Sequence, residues 1–196
     1  MISLVFDCET TGLANHKTPD HTVQPYPVQL ACILVEDNKI INLASIIIDP
    51  GVPIEPGAAK IHKITTELVQ RVGLSLKAAT GLFLNFLKKA DRVVAHNADF
   101  DIIVTEAMIY RTLADFEMAK YRELSRVCTM RSTTEVCKIP GKFGKYKWPK
   151  LDEAYKKLVD PRGFTKAHDA LADVMACWKV LQKLEEKELP LLRGER

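Results

Sequence analysis

The chain opens Ile2-Ser3-Leu4-Val5-Phe6-Asp7-Cys8-Glu9-Thr10-Thr11-Gly12-Leu13. Residues 2–6 are short, apolar and bounded by polar residues, the pattern of a buried strand. The strand ends on Asp7-Cys8-Glu9. Strand side chains alternate between faces, so the two acids project the same way, roughly 7 Å apart, and Cys8 points to the opposite side. Two carboxylates sharing a face repel each other and cost stability unless a cation neutralises them. Taken alone, the same spacing also describes surface acids beside a turn.

Working outward, the polar stretch 10–27 reads as a loop, with His16 and His21 as ordinary loop histidines. The β-branched runs 28–35 and 39–48, joined by Glu36-Asp37-Asn38, predict a hairpin, so three antiparallel strands open the chain. A Pro- and Gly-bearing segment, 50–57, breaks the sheet. Helical spacing follows over 58–72 and 74–90, the second through Leu76, Ala79, Phe83, Phe86 and Leu87. Residues 92–95 form a short apolar strand. Phe100, Ile103, Val104, Ala107 and Met108 then mark the buried stripe of a helix. Beyond Cys128, residues 131–136 read as helical, 138–150 as a lysine-rich loop and 151–159 as a short helix. The last helix carries Leu171, Val174, Trp178 and Leu181 on one face.

Two further clusters carry chemistry. His96-Asn97-Ala98-Asp99-Phe100-Asp101 stands where a strand turns into a helix; Asn97 suits an N-cap and Asp101 the electropositive first turn, a purely structural use of both. His168-Asp169-Ala170-Leu171-Ala172-Asp173 opens the last helix. Five helical residues rise about 7.5 Å and turn through roughly 140°, so His168 must reach any shared site from the helix entrance. Periodicity pairs Asp169 with Asp173 and leaves open which aspartate matters. Lys138, Lys142, Lys145, Lys147 and Lys150 occur with Phe143, Tyr146 and Trp148 and no acid between them. That mixture fits phosphate contacts with base stacking, or a solvated loop whose aromatics pack on the core.

The composition limits the classes open to the chain. At 196 residues it is long enough for one core and too short for two ordinary domains and a linker. A hydrophobic fraction of 47% with 27% charged residues excludes disordered and low-complexity classes. The net charge of +3 permits a polyanionic partner without demanding one. Five cysteines with no C-x-x-C pair point to a reducing, cytoplasmic setting. The absence of a leader-like start or a long apolar run predicts neither signal peptide nor membrane anchor.

Taken in order, D-x-E at a first strand end, H-N-A-x-F-D at a strand-to-helix turn and H-x-A-x-x-D on a C-terminal helix resemble the DnaQ-like 3′→5′ exonucleases. This is the ribonuclease-H-like superfamily with the DEDD carboxylate set, in its histidine-bearing (DEDDh) branch. The resemblance covers about residues 2–185, and Asp7 to Leu13 matches the family's first motif closely. It implies an α/β fold with a mixed central sheet, three antiparallel strands then parallel ones, flanked by helices. It also implies one exonuclease domain over 1–196.

Carried across, the metal ligands are Asp7, Glu9, Asp101 and Asp173, and His168 is the general base. The family pattern passes over Asp169 and Asp99, which fall at its variable positions. Two divalent cations, Mg²⁺ or Mn²⁺, are expected as cofactors, since carboxylates suit hard ions and no cysteine is expected on that face. The expected substrate is the 3′ end of single-stranded or frayed DNA, cut to 5′-mononucleotides. Thr10, Thr11, Gly12 and Leu13 would grip that end, glycine allowing close backbone approach. Ile61-His62-Lys63-Ile64-Thr65 resembles the family's segment that lies against the terminal nucleotide, which adds His62; Asn97, Phe100, Lys142, Lys145 and Lys147 complete the expected substrate contacts. An RNA-processing exonuclease would use the same five catalytic residues. A non-catalytic nucleic-acid-binding or polymerase-accessory module would be marked by a lost carboxylate or histidine, and none is missing. The resemblance leaves room for a DNA polymerase or a second copy of the chain as partner.

Overall fold

A computed structural model describes residues 1–112 and 121–194. Strand β1 (Ser3–Thr10) lies in the middle of its sheet because both its faces are apolar. Leu4, Phe6 and Cys8 face one core, and Val5 faces a second, so the run reads as almost continuously hydrophobic. β1 pairs antiparallel with β2 (Pro27–Glu36), and β2 pairs antiparallel with β3 (Lys39–Asp49). The β2–β3 turn puts Asp37 and Asn38 at φ 48° and 59°, as a two-residue primed hairpin turn requires. On its other side β1 pairs in parallel with β5 (Arg92–Ala95), and β5 pairs in parallel with β6 (Ser125–Cys128). With β4 (Leu74–Ser75) beside the end of β3, the order is β4-β3-β2-β1-β5-β6, the mixed sheet expected from the sequence.

Helices cover both faces. α3 (Leu76–Leu87) and α4 (Ala98–Thr112) close the first core, where Phe83 packs between Phe6 and Tyr121. α7 (Ala170–Glu186) closes the second through Val174, Cys177, Trp178 and Leu181. α5 (Thr129–Cys137) and α6 (Leu151–Leu158) flank α7. Asp7 and Glu9 share the strand parity of Val5, which places them on the α7 side. Among the described residues no helix is long and apolar enough to cross a membrane.

The expectations depart from the structure at element ends. β1 runs on through Thr10, four residues past the apolar stretch, because Asp7 to Thr10 still pair with β2. The helix expected over 58–72 is two helices, α1 (Pro56–His62) and α2 (Thr66–Val72). The break is Lys63, whose backbone turns left-handed at φ 63° while its N–H still caps the Ala59 carbonyl at 2.9 Å; Thr65 then caps α2. Residues 74 and 75 are strand, because Ser75 caps α3 and its helix starts at Leu76. β6 has no separate periodic mark in the sequence.

Lys63 occupies a C-cap conformation that favours glycine. A left-handed turn costs a side-chain-bearing residue about 1–2 kcal/mol, and glycine returns part of that through the entropy of the unfolded chain. Lys63→Gly is therefore expected to stabilise the protein by about 0.5–1 kcal/mol. Urea unfolding reads this as a higher midpoint at unchanged slope, and a lower midpoint would refute it.

Candidate functional site

The four carboxylates expected as ligands converge on one cleft of about 270 Å³, lined by Asp7, Glu9, Asp101, Asp173, His96 and His168 among others. They arrive from three elements. Asp7 and Glu9 come from β1, where the pairing with β2 shifts register just after Glu9. Asp101 lies in the first turn of α4, 2% exposed, and accepts the Cys8 N–H through Oδ1 at 3.0 Å, which ties α4 to β1. Asp173 lies in the first turn of α7. Its Oδ2 accepts the His168 N–H at 3.1 Å, while its Oδ1 is buried without a hydrogen-bond partner.

His168 precedes α7, exposed, with a left-handed backbone at φ 68°. It does enter from the helix entrance. Among the described residues, one donor atom from each of Glu9, His168 and Asp173 lies within 4.8 Å of the others, close enough to hold a metal ion together. This group takes in His168, expected as the base, beside two of the four expected ligands.

The two aspartates of the third cluster divide the work. Asp169 caps α7, accepting the Ala172 N–H at 3.1 Å, and its other oxygen accepts from the Gln29 amide. Gln29 in turn accepts the Ala170 N–H, so Asp169 is fixed as a cap and Asp173 is left for the cleft. Asn97 differs from expectation. With φ 68° it cannot take the extended backbone of a side-chain N-cap, and its carbonyl instead accepts the Phe100 N–H.

Crowding sets the electrostatics. Burial, followed by the charges of Asp101, Asp173 and Glu9, holds the Asp7 carboxyl well above the ordinary range. Asp101 is raised by burial and by Glu9 and Asp173, against the Cys8 hydrogen bond. Glu9 is pushed up to about 7 by burial and then Asp173, and Asp173 to about 6 by burial. A cleft that raises all four of its carboxyls above their ordinary range is one that a cation would relieve. His96 plays a different part: half-buried, with its pKa lowered to about 4 by desolvation, it donates from Nε2 to the Pro149 carbonyl and accepts from Thr129. It belongs to the wall of the cleft, held by these two bonds.

A second cleft, about 410 Å³ and mostly apolar, meets the first at Glu9, Phe100 and His168. Leu13, Ala58 and Ile61 line it, with Leu13 89% exposed at its rim. Several expected contacts are committed to holding its shape. Thr10 Oγ1 donates to the Gly12 carbonyl, and Thr11 Oγ1 accepts the Tyr26 N–H. His62, buried, accepts the Ile64 N–H at Nδ1 and donates from Nε2 to the Thr10 carbonyl at 3.2 Å. Gly12 needs no special φ; its missing Cβ makes room for the Glu55 carboxylate, which would lie 2.5 Å from that atom. Phe100 is partly buried, packing on the core and facing both clefts. Lys142 and Lys145 stand exposed on another segment, and Lys147 pairs with Glu153 at 2.7 Å. A larger cavity of about 460 Å³, between Glu106, Arg126 and Arg193, shares no residue with either cleft.

Comparison with known proteins gives a consistent picture. The profile of a family described as Exonuclease, RNase_T, matches residues 4–181. An uncharacterized exonuclease, CP81, of Escherichia phage 186 is 31% identical over 176 residues, 87% of this chain and 81% of that protein. The PolC-type DNA polymerase III of Caldanaerobacter subterraneus subsp. tengcongensis is 26% identical over 185 residues, and there the chain spans only 12% of the relative. In fold, E. coli exonuclease I solved with a dT13 oligonucleotide superposes with a TM-score of 0.75 at 21% identity, covering 94% of this chain and 41% of that one.

Proposed function

Because the chain belongs to the RNase_T exonuclease family, we propose that it removes 5′-mononucleotides from the 3′ end of a DNA strand, using Asp7, Glu9, Asp101, Asp173 and His168. The observation that carries this reading is the convergence of four crowded carboxylates and one exposed histidine on a single cleft. DNA is favoured over RNA because relatives with named roles include a PolC-type DNA polymerase III and the epsilon subunit of a DNA polymerase III. We read about residues 2–185 as one exonuclease domain, and its five free cysteines as suited to a reducing compartment.

The donor set fits divalent cations. Asp173 Oδ1 is buried with no hydrogen-bond partner, and burial together with the charges of neighbouring carboxylates holds Asp7 and Asp101 well above the ordinary carboxyl range. Carboxylate oxygens suit Mg²⁺ or Mn²⁺, and Asp7, Glu9, Asp101 and Asp173 would hold them. Two such ions, when bound, offset this negative charge and favour both the ionisation of water and the departure of the 3′ oxygen.

The remaining steps belong to the chain. His168 is positioned through its own main chain, leaving its imidazole free to take a proton from the attacking water near neutral pH. Phe100, Ile61 and Leu13 would hold the terminal nucleoside and exclude water from the adjoining acidic cleft. Digestion of matched 3′- and 5′-labelled DNA and RNA strands with Mg²⁺, Mn²⁺ or chelator tests the reading. Mononucleotides should leave the 3′ end of DNA first and only with metal. Degradation from the 5′ end, or undiminished activity in chelator, would refute it.

A further inference from the structure

The lysine-rich segment is a built hairpin with its root in the wall of the acidic cleft. Gly141 N–H donates to the Lys145 carbonyl at 2.9 Å, Lys147 N–H donates to the Ile139 carbonyl at 3.0 Å, and Pro140 bridges Tyr146. The two sides approach so closely that a Cβ on Gly141 would stand 2.7 Å from the Lys145 carbonyl oxygen. At its base, Pro149 is bound by His96 of the acidic cleft, and Trp148 stacks on Arg131, which pairs with Asp99 at 3.5 Å.

The tip has the opposite character. Phe143 is 97% exposed on a left-handed backbone, φ 56°, between Lys142 and Lys145. Neither lysine has an ion-pair partner among the described residues. Residues 138–150 hold five lysines and no acid, so the hairpin carries a concentrated positive charge in a chain whose net charge is only +3. A fully exposed aromatic ring, held by an ordered turn between two unpaired cations, suits a ligand with phosphates on its outside and flat rings to stack.

We propose that this hairpin grips the nucleic-acid strand upstream of the cleaved end, with Lys142 and Lys145 on phosphates and Phe143 stacked on a base. The proposal rests on the nuclease reading for the direction in which the strand runs, and on the hairpin alone for binding. Phe143 stands six positions from Pro149, a reach of at most roughly 20 Å. At about 3.4 Å of rise per nucleotide that spans roughly six nucleotides. The hairpin should therefore matter far more for long strands than for a dinucleotide.

Anisotropy of 5′-fluorescein dT20 in EDTA, beside Mn²⁺-dependent hydrolysis of pdTdT, separates these claims. Phe143→Ala should weaken dT20 binding about 5- to 150-fold, the range for one lost base stack, and Phe143→Trp should restore it. Lys142→Ala with Lys145→Ala should lower the slope of log affinity against log salt by about 1.4, at about 0.7 per phosphate contact. Any loss of rate on pdTdT should be far smaller than the loss of affinity for dT20, and the exposed positions leave the core untouched. Unchanged dT20 affinity and salt slope would overturn the proposal and turn attention to a protein partner for the hairpin. Equal losses on pdTdT and on a long strand would also overturn it. A wild type that binds dT20 through the hairpin yet cleaves nothing would refute the exonuclease reading and leave this one standing.

Discussion

Asp7→Asn and Asp173→Asn are each expected to lower release of mononucleotides from a 3′-labelled strand by about 10³-fold or more, while far-ultraviolet circular dichroism stays that of the wild type. The size follows from losing an anionic ligand that supports several kcal/mol of charge stabilisation, at about 1.4 kcal/mol per tenfold. The fold should survive because the amide keeps the shape of the acid. At position 173 the retained oxygen can still accept the His168 N–H that now goes to Oδ2. Stability of the metal-free protein should rise in Asp7→Asn. A carboxyl whose pKa is higher folded than unfolded favours the fold below its unfolded value and loses that contribution as pH climbs through the folded one. For Glu9 the window runs from its ordinary 4.5 to about 7, and Asp7 is raised in the same direction by burial and by Asp101. Metal-free melting curves should thus fall between pH 4.5 and 7 in the wild type and fall less in Asp7→Asn. Full turnover by either purified variant would remove that residue from the metal site. A melting temperature that rises with pH across this window would contradict the electrostatic account.

What the sequence made legible is what short-range rules govern. The alternation through Asp7, Cys8 and Glu9 placed two acids on one face, and the structure puts them on the α7 side of β1 with Cys8 in the opposite core. The mixed sheet followed from the strand pattern and the resemblance together. Long-range contacts were harder to read. Periodicity could not choose between Asp169 and Asp173, because the choice depends on Gln29, 140 positions away, fixing Asp169 as the cap. His96 looked like part of the motif but is turned into the wall by Thr129 and Pro149, which lie 33 and 53 positions away. The split at Lys63 was hidden because residues on both sides keep helical spacing, and only a left-handed backbone at a lysine separates them. The lysine-rich stretch read as a loop, since a hairpin closed by one isolated bridge leaves no alternating pattern.

His168→Ala is expected to lower single-turnover hydrolysis at neutral pH by about 10²- to 10⁴-fold, the usual contribution of a general base. Metal and strand should still bind. The main chain of residue 168 donates to Asp173, and removing an imidazole leaves that N–H in place, so the Asp173 carboxylate should keep its position. The side chain is exposed and the backbone left-handed, so His168→Asn, which tolerates that conformation, provides a second variant free of local strain. The contrary outcome has a structural basis, because Glu9, His168 and Asp173 already bring their donor atoms within 4.8 Å. Calorimetric titration of Mn²⁺ into wild type and both variants decides between a base and a ligand. Unchanged metal affinity with slowed release of 5′-mononucleotides assigns the proton transfer to His168. Loss of metal affinity in both variants would make His168 a ligand, and near-normal turnover in both would exclude it from the chemistry.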